Sequence, residues 1–498
     1  MKKSLLIPFA LAVTFLANAQ QKNILLEPSF WKTAPDITAL KAEIAKGNNP
    51  SEANANAFDV TVMAINNDAP FNTIKFLLDQ PGNEINKLTH DNRIYLHWAA
   101  YKGNTELVEY LIAKKSDVNF EDSHGTTPVA FAASSGIIKP ALYEAFFKAG
   151  IDPKKKYKNG ENLLLLSIPF DKNLANADYF VTKGMSYKDT DNDGSTAFDY
   201  AARTGNIVLL KMLQEKGVKH TDNALLIAAQ GNRRESNTIE TFKFLVEEVK
   251  IKPTATNKSG DNVLHLLAGK PNQKEIITYF LSKGVDANKA NKEGNTPLMM
   301  AAGARDTAAL EQLLPLVKNN NTQNLKGESA LTMAVKSGTP EATAILLNKG
   351  ADVTIQDKDG NNLGFYLIQS YRTKMGNAKE PAQDPFEIKA KLLQDKGLNL
   401  AAAQKDGSTL YHAAIVKNDL NLIKKLASFG IDINAKNKDS LTALHKAAMT
   451  ANNDEILKYL LSIGAKKEIT TEFDETAYAL AKENETLTKK NITVEFLK

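Results

Sequence analysis

DTDNDG, residues Asp189–Gly194, comes closest in this chain to a set of residue types that could do chemistry. Asp189, Asp191 and Asp193 alternate and are followed by glycine, as in the first half of a calcium loop, where carboxylate oxygens converge on a hard cation. The twelfth position of such a loop needs a bidentate glutamate, and here it is Tyr200. NKEG, DKDG and QKDG elsewhere are acid-rich turns of the same kind. A turn tip is therefore the favoured reading, and a calcium site the weaker alternative.

The seven histidines are the other candidates. Imidazole serves acid–base and metal work near neutral pH. His97, His265, His412 and His445 occupy one slot of a recurring motif, which points to a structural tie. His90, His124 and His220 fall in turns of separate or neighbouring repeats. Packed helices lie about 10 Å apart, so a tight metal cluster is not expected from them. With no cysteine there is no thiol nucleophile, no disulfide and no thioether lipid anchor. No P-loop, zinc-hydrolase helix, G-x-S-x-G elbow or dinucleotide fingerprint occurs. The chain is read as a non-enzyme without cofactors. Its 62 basic and 57 acidic side chains nearly balance, which argues against a nucleic-acid partner.

The elements that would position these residues repeat. Blocks align at Ile94 (IYLHWAA), Thr127 (TPVAFAA), Asn162 (NLLLLSI), Thr196 (TAFDYAA), Asn223 (NALLIAA), Asn262 (NVLHLLA), Thr296 (TPLMMAA), Ser329 (SALTMAV), Asn362 (NLGFYLI), Thr409 (TLYHAAI), Thr442 (TALHKAA) and Thr476 (TAYALAK). Most steps are 33 to 35 residues; the exceptions are 27 and 39, which adjoin and compensate, and 47. Thr, Ser or Asn before each apolar run can cap a helix, and Pro128 and Pro297 suit a first helical position. Gly103, Gly136, Gly205 and Gly338 end the first helices, where a positive φ is wanted. ELVEYLIAKK (106–115) and EILKYLLSIG (455–464) supply amphipathic second helices. One such pair cannot bury its own apolar face, so neighbours must stack.

The Gly turn, the TPLMMAA block, the second helix and tails such as KGVDAN (283–288) and KGADVT (349–354) resemble the ankyrin repeat family over nearly the whole chain. The resemblance implies an all-α ankyrin-repeat solenoid of helix-turn-helix units with β-hairpin or turn connections. Expected boundaries are a capping half-repeat over 20–56, about twelve repeats over 57–470, and a capping helix and tail over 471–498. Tyr371–Phe386 and Gly231–Glu240 read as insertions. Lys2 and Lys3, the apolar run Leu5–Leu16 and Ala17-Asn18-Ala19 form a signal peptide over 1–19. A soluble periplasmic protein follows, with secretion as second choice and no membrane insertion after cleavage.

Ankyrin arrays bind proteins in a concave groove, and the resemblance places the two residues after each Ala-Ala pair there. From Ile94 to Thr442 those positions include Lys102, Arg203, Lys270, Lys336 and Lys417, and no acid. The expected function is a protein-binding scaffold whose groove takes an acidic segment, with those five charges steering and Tyr101 anchoring. The alternative is a calcium or glycan module on the Asp-rich turn or the insertions. Lys158, Lys258, Lys292, Lys358, Lys405 and Lys438 share one hairpin register and are read as a solvated edge.

Overall fold

A computed structural model describes residues 22–232, 236–372 and 383–498. The stretch read as a signal peptide, 1–19, and most of the Tyr371–Phe386 insertion lie outside the described residues. The chain forms two compact units. One runs to Ala201 and takes in Leu209–Lys219; the other comprises Ala202–Val208 and His220–Lys498.

Each unit is built from paired short helices, and the repeat opening at Asn291 shows why. The Asn291 carboxamide accepts the Glu293 and Asn295 amides, both at 2.9 Å, which closes the turn. Gly294, at φ +80°, allows the reversal. Thr296 then caps the helix Pro297–Ala302 by accepting the Met299 amide. Pro297 stands where no donor is needed. Pro297, Leu298, Met299, Ala301 and Ala302 are all buried, against the first helices of the repeats before and after. A fully buried leucine contributes about 2 kcal/mol, so each repeat's core leans on its neighbours.

Caps follow the expected Thr, Ser and Asn positions at Asn162, Asn262, Ser329, Asn362, Thr442 and Thr476. Asn223 departs from the pattern: it is already helical, and Asp222 precedes it without a side-chain cap. Gly103, Gly136 and Gly205 have positive φ, as a helix end requires. Gly338 does not. A Cβ on Gly338 would lie 2.1 Å from the Ala302 carbonyl oxygen of the previous repeat, so this glycine serves close approach and not a left-handed turn.

The connections are turns. Among the described residues no strand forms, and only isolated bridges occur, at Ala53 with Asp59 and Thr470 with Thr476. The physical reason is that each turn tip gives a single amide to its predecessor. Ser123 donates to the Asp91 carbonyl (2.9 Å), Lys292 to Ser259 (2.8 Å), Lys358 to Lys326 (2.9 Å) and Lys438 to Asp406 (2.8 Å). A ladder needs a second rung, and the chain has already turned away. At Lys292, Lys358, Lys405 and Lys438 the lysine register noted in the sequence is thus the position that supplies the linking amide.

At the N-terminal end a short helix, Pro28–Trp31, precedes the expected cap helix Ile37–Ala45. Trp31 is buried and its indole donates to the Leu25 carbonyl at 2.8 Å. At the other end Leu487, Val494 and Leu497 close the last repeat.

Candidate functional site

Several first helices leave one large side chain partly open at the fifth motif position: Phe131 and Leu166 in the first unit, Leu266, Met300 and Met333 in the second, while Trp98 at the same position is buried. Phe131 is the centre of the densest group. Its ring stacks on Tyr101 at 5.2 Å, meets Trp98 edge-on at 6.2 Å, and carries the Arg93 guanidinium at 4.4 Å. Tyr101, the expected anchor, is therefore part of a half-open aromatic surface. The rest of that surface was missed in the sequence, although the recurrence of large apolar residues immediately before Ala-Ala was there to read.

The expected steering charges have other work. The Lys102 ammonium donates to the Asn66 carbonyl (3.1 Å) and pairs with Asp68 (2.8 Å). Lys270 donates to the Ala229 (2.8 Å) and Gln230 carbonyls, and Lys417 to those of Gln369 (3.2 Å) and Tyr371 (3.1 Å). Each reaches back to the C-terminal end of the preceding repeat's first helix, where carbonyls lack partners and the helix dipole is negative. Burial lowers the Lys270 and Lys417 ammoniums below the usual lysine range. At these three positions the basic bias after Ala-Ala thus has a capping origin. Lys336 pairs with Glu328 at 3.0 Å beneath the Tyr366 ring. Arg203 is half-buried, with its Nε unpartnered among the described residues.

Lys389, which the sequence reading passed over, makes the same kind of cap. It lies on the buried face of the helix Pro385–Asp395, with Phe386, Ala390 and Leu393. Its ammonium donates to the Val335 (2.9 Å) and Gly338 (2.7 Å) carbonyls, and burial brings it down to about 8. In the Gly231–Glu240 insertion, of which 233–235 lie outside the described residues, the Asn237 amide caps the Ala228 carbonyl at 2.8 Å.

The DTDNDG aspartates do not converge. Asp189 accepts from the Asn162 amide nitrogen (2.7 Å) and the Ser186 backbone (2.8 Å). One Asp191 oxygen takes the Asp193 and Ser195 amides and the other the Tyr200 hydroxyl, at 2.8 to 2.9 Å. Tyr200, where a calcium ligand was needed, holds the turn as a donor.

His90 and His124, in turns of neighbouring repeats, meet over one carboxylate. Their Nε2 atoms lie 3.5 and 3.3 Å from one Asp91 carboxylate oxygen, because adjacent tips are drawn together by the Ser123 amide. The Arg93 guanidinium takes the same oxygen at 3.0 Å and so supplies the cation. Among the described residues no group of three His, Cys, Asp or Glu is arranged to hold a metal ion.

The four motif histidines are structural ties. In His265, His412 and His445 the Nδ1 takes the backbone amide of the helix-capping residue at 3.1 to 3.2 Å, while Nε2 donates to a carbonyl of the next repeat at 2.9 to 3.0 Å. His97 keeps only the second bond, to Thr126 at 2.9 Å, and its buried Nδ1 has no hydrogen-bond partner among the described residues. Burial lowers all four, His97 to about 4.

The folded state therefore binds fewer protons than the unfolded chain between that value and 6.5. The stabilisation from His97, about 3 kcal/mol in total, is complete above 6.5 and gone below about 4. Urea titrations followed by tryptophan fluorescence are expected to lose about 2 kcal/mol on going from neutrality to about pH 5. His97→Gln should flatten that slope. An equal slope in the variant would remove His97 as its source.

The family model described as ankyrin repeats matches three stretches, residues 61–153, 264–357 and 383–471, together more than half of the chain. The chain is 27% identical over 398 residues to the human transient receptor potential cation channel subfamily A member 1, covering 76% of this chain and 31% of that protein. Similarity at 27% also extends to mouse neurogenic locus notch homolog protein 1, over 52% of this chain and 11% of that protein. The NAD-dependent deacetylase sir2B of Dictyostelium discoideum is 27% identical over 50% of this chain and 28% of its own length. The chain spans about a third or less of these curated relatives.

Proposed function

Since this chain belongs to the ankyrin repeat family, we propose that it is a non-enzymatic scaffold that holds a partner protein against the faces of its first helices. The observation that carries the reading is the half-open aromatic surface of Tyr101 and Phe131, backed by the buried Trp98 and crossed by Arg93. Aromatic and arginine side chains on a rigid face are the residue types that dominate protein interfaces. The buried titratable groups described above are taken up by caps and turns, which supports a binding role over a catalytic one. A cation channel and a deacetylase are named among the relatives, but each is some three times longer than the stretch in common.

The Lys2-Lys3 start, the Leu5–Leu16 apolar run and Ala17-Asn18-Ala19 support export to a bacterial envelope compartment, the periplasm first. No helix of the described residues is long and apolar enough to cross a membrane. In-cell crosslinking through a photoreactive residue at Tyr101, followed by fractionation, tests both parts. A discrete protein adduct in the periplasmic fraction is expected, and Phe131→Ala should reduce it at least about tenfold. Absence of any adduct, with the chain folded and present, would overturn the scaffold reading; an adduct confined to the cytoplasm would overturn the location.

A further inference from the structure

Beside the aromatic surface lies the most one-sided charge in the first unit. The segment DPKKKYKNG (152–160) brings Lys154, Lys155, Lys156 and Lys158 together at one turn tip. Acids flank the run, but the turns consume them. The Asp152 carboxylate accepts the Lys154 amide (2.9 Å) and Glu161 accepts the Asn159 amide (2.7 Å). Asp189 on the next tip is taken by Asn162 and Ser186. The ammoniums rest on neutral acceptors instead: Lys155 on the Asn119 side chain (3.1 Å), Lys156 on the Thr190 carbonyl (3.1 Å), Lys158 on the His124 carbonyl (3.4 Å). Glu121 is the remaining nearby acid, and none of the four lysines pairs with a carboxylate within 4 Å among the described residues. Between this tip and the one before it a cleft of about 370 Å³ opens onto the first helices, with Ala130 and Leu166 in its apolar floor and Lys158 on its rim.

We propose that this cleft and its lysines are the docking subsite for an acidic peptide segment bearing one large apolar side chain. The apolar side chain enters the cleft over Ala130 and Leu166, and the flanking carboxylates meet Lys155, Lys156 and Lys158. The occupant is a protein segment and not a nucleic acid, because the cleft floor of Ala130 and Leu166 is apolar and suits an aliphatic side chain, which a nucleic acid lacks. The subsite deepens the scaffold reading and rests on it, and it replaces the capping lysines 102, 270 and 417 with charges that no carboxylate offsets.

The test is fluorescence anisotropy of the purified full chain with a fluorescein-labelled peptide of Asp and Glu residues around one central leucine, at low salt. Saturable binding is expected, weakened at least about tenfold by the triple change Lys155→Glu, Lys156→Glu, Lys158→Glu. A peptide with Asp in place of the leucine should bind more weakly, as should the parent peptide with Ser134→Trp, which fills the cleft mouth. Lys156, Lys158 and Ser134 are exposed and Lys155 is half-buried at a turn tip, so circular dichroism should show unchanged folding. No saturable binding, or an unchanged affinity in the triple variant, overturns the subsite. So does an oligothymidylate of equal charge that matches the leucine peptide, since the patch would then be a general polyanion surface. If the peptide fails while Tyr101 still crosslinks a protein, the subsite falls and the scaffold reading stands.

Discussion

Asp59→Ala is expected to unfold the N-terminal repeats at much lower denaturant, a loss of about 3–5 kcal/mol. The carboxylate has no exposed surface. One oxygen caps the helix Val60–Asn66 by accepting the Val62 amide at 2.8 Å. The other accepts the Tyr95 hydroxyl at 2.6 Å and pairs with the Lys87 ammonium at 2.9 Å. Burial, with the Asp59 charge beside it, raises the Tyr95 phenol far above its ordinary range, so it stays a donor. Removing Asp59 leaves the partly exposed Lys87 ammonium without a counter-charge and the buried Tyr95 phenol with only the longer bond to the Asn83 side-chain oxygen, 3.3 Å. Lys87 keeps the Ser51 carbonyl (2.9 Å) and the Asn83 carboxamide (3.1 Å) but no counter-charge.

Asp59→Asn should cost less, since it retains a cap acceptor. Both tryptophans of the chain, Trp31 and Trp98, lie in the first unit. The urea midpoint read by fluorescence should therefore move further than the midpoint read by far-ultraviolet circular dichroism. Equal movement of the two would mean that the damage is not local, and an unchanged fluorescence midpoint would contradict the buried pair.

Gly338→Ala should be as damaging in the second unit, at about 3 kcal/mol or more. The new Cβ would stand 2.1 Å from the Ala302 oxygen and 3.0 Å from the Ala334 Cα. Both are backbone positions in neighbouring first helices, so no side chain can swing away. The helix Ala330–Lys336 would have to move off Pro297–Ala302, and the Lys389 cap on the Gly338 carbonyl would go with it. Gly350→Ala is the comparison: φ is +78° but nothing lies within 4 Å, so only the backbone penalty of about 1 kcal/mol applies. Amide exchange across 330–348 should accelerate strongly for the first variant and slightly for the second. Tryptophan fluorescence should barely register either. Equal effects would show that close approach at Gly338 carries no special weight.

The repeating helices were legible because their causes are local. Thr296, Pro297 and the apolar run after them state a cap, a helix start and a buried face within a few residues. His265, His412 and His445 were likewise readable as ties, since the capping partner stands three residues before each. Gly338 shared the motif position of Gly103 and Gly136, and nothing local distinguished its role. Its reason lies in the previous repeat, at the Ala302 oxygen.

The same division runs through the candidate site. Composition and spacing determined, unaided, that the chain is a stack of helical pairs with no disulfide and no recognised catalytic set. They also revealed the excess of lysines after Ala-Ala. Only the tertiary structure decided what those lysines meet: carbonyls one repeat back for Lys102, Lys270 and Lys417, and neutral acceptors on adjoining tips for Lys155, Lys156 and Lys158. A cation's partner is set by distance across some thirty to fifty residues of chain, and no single repeat carries that distance in its own letters.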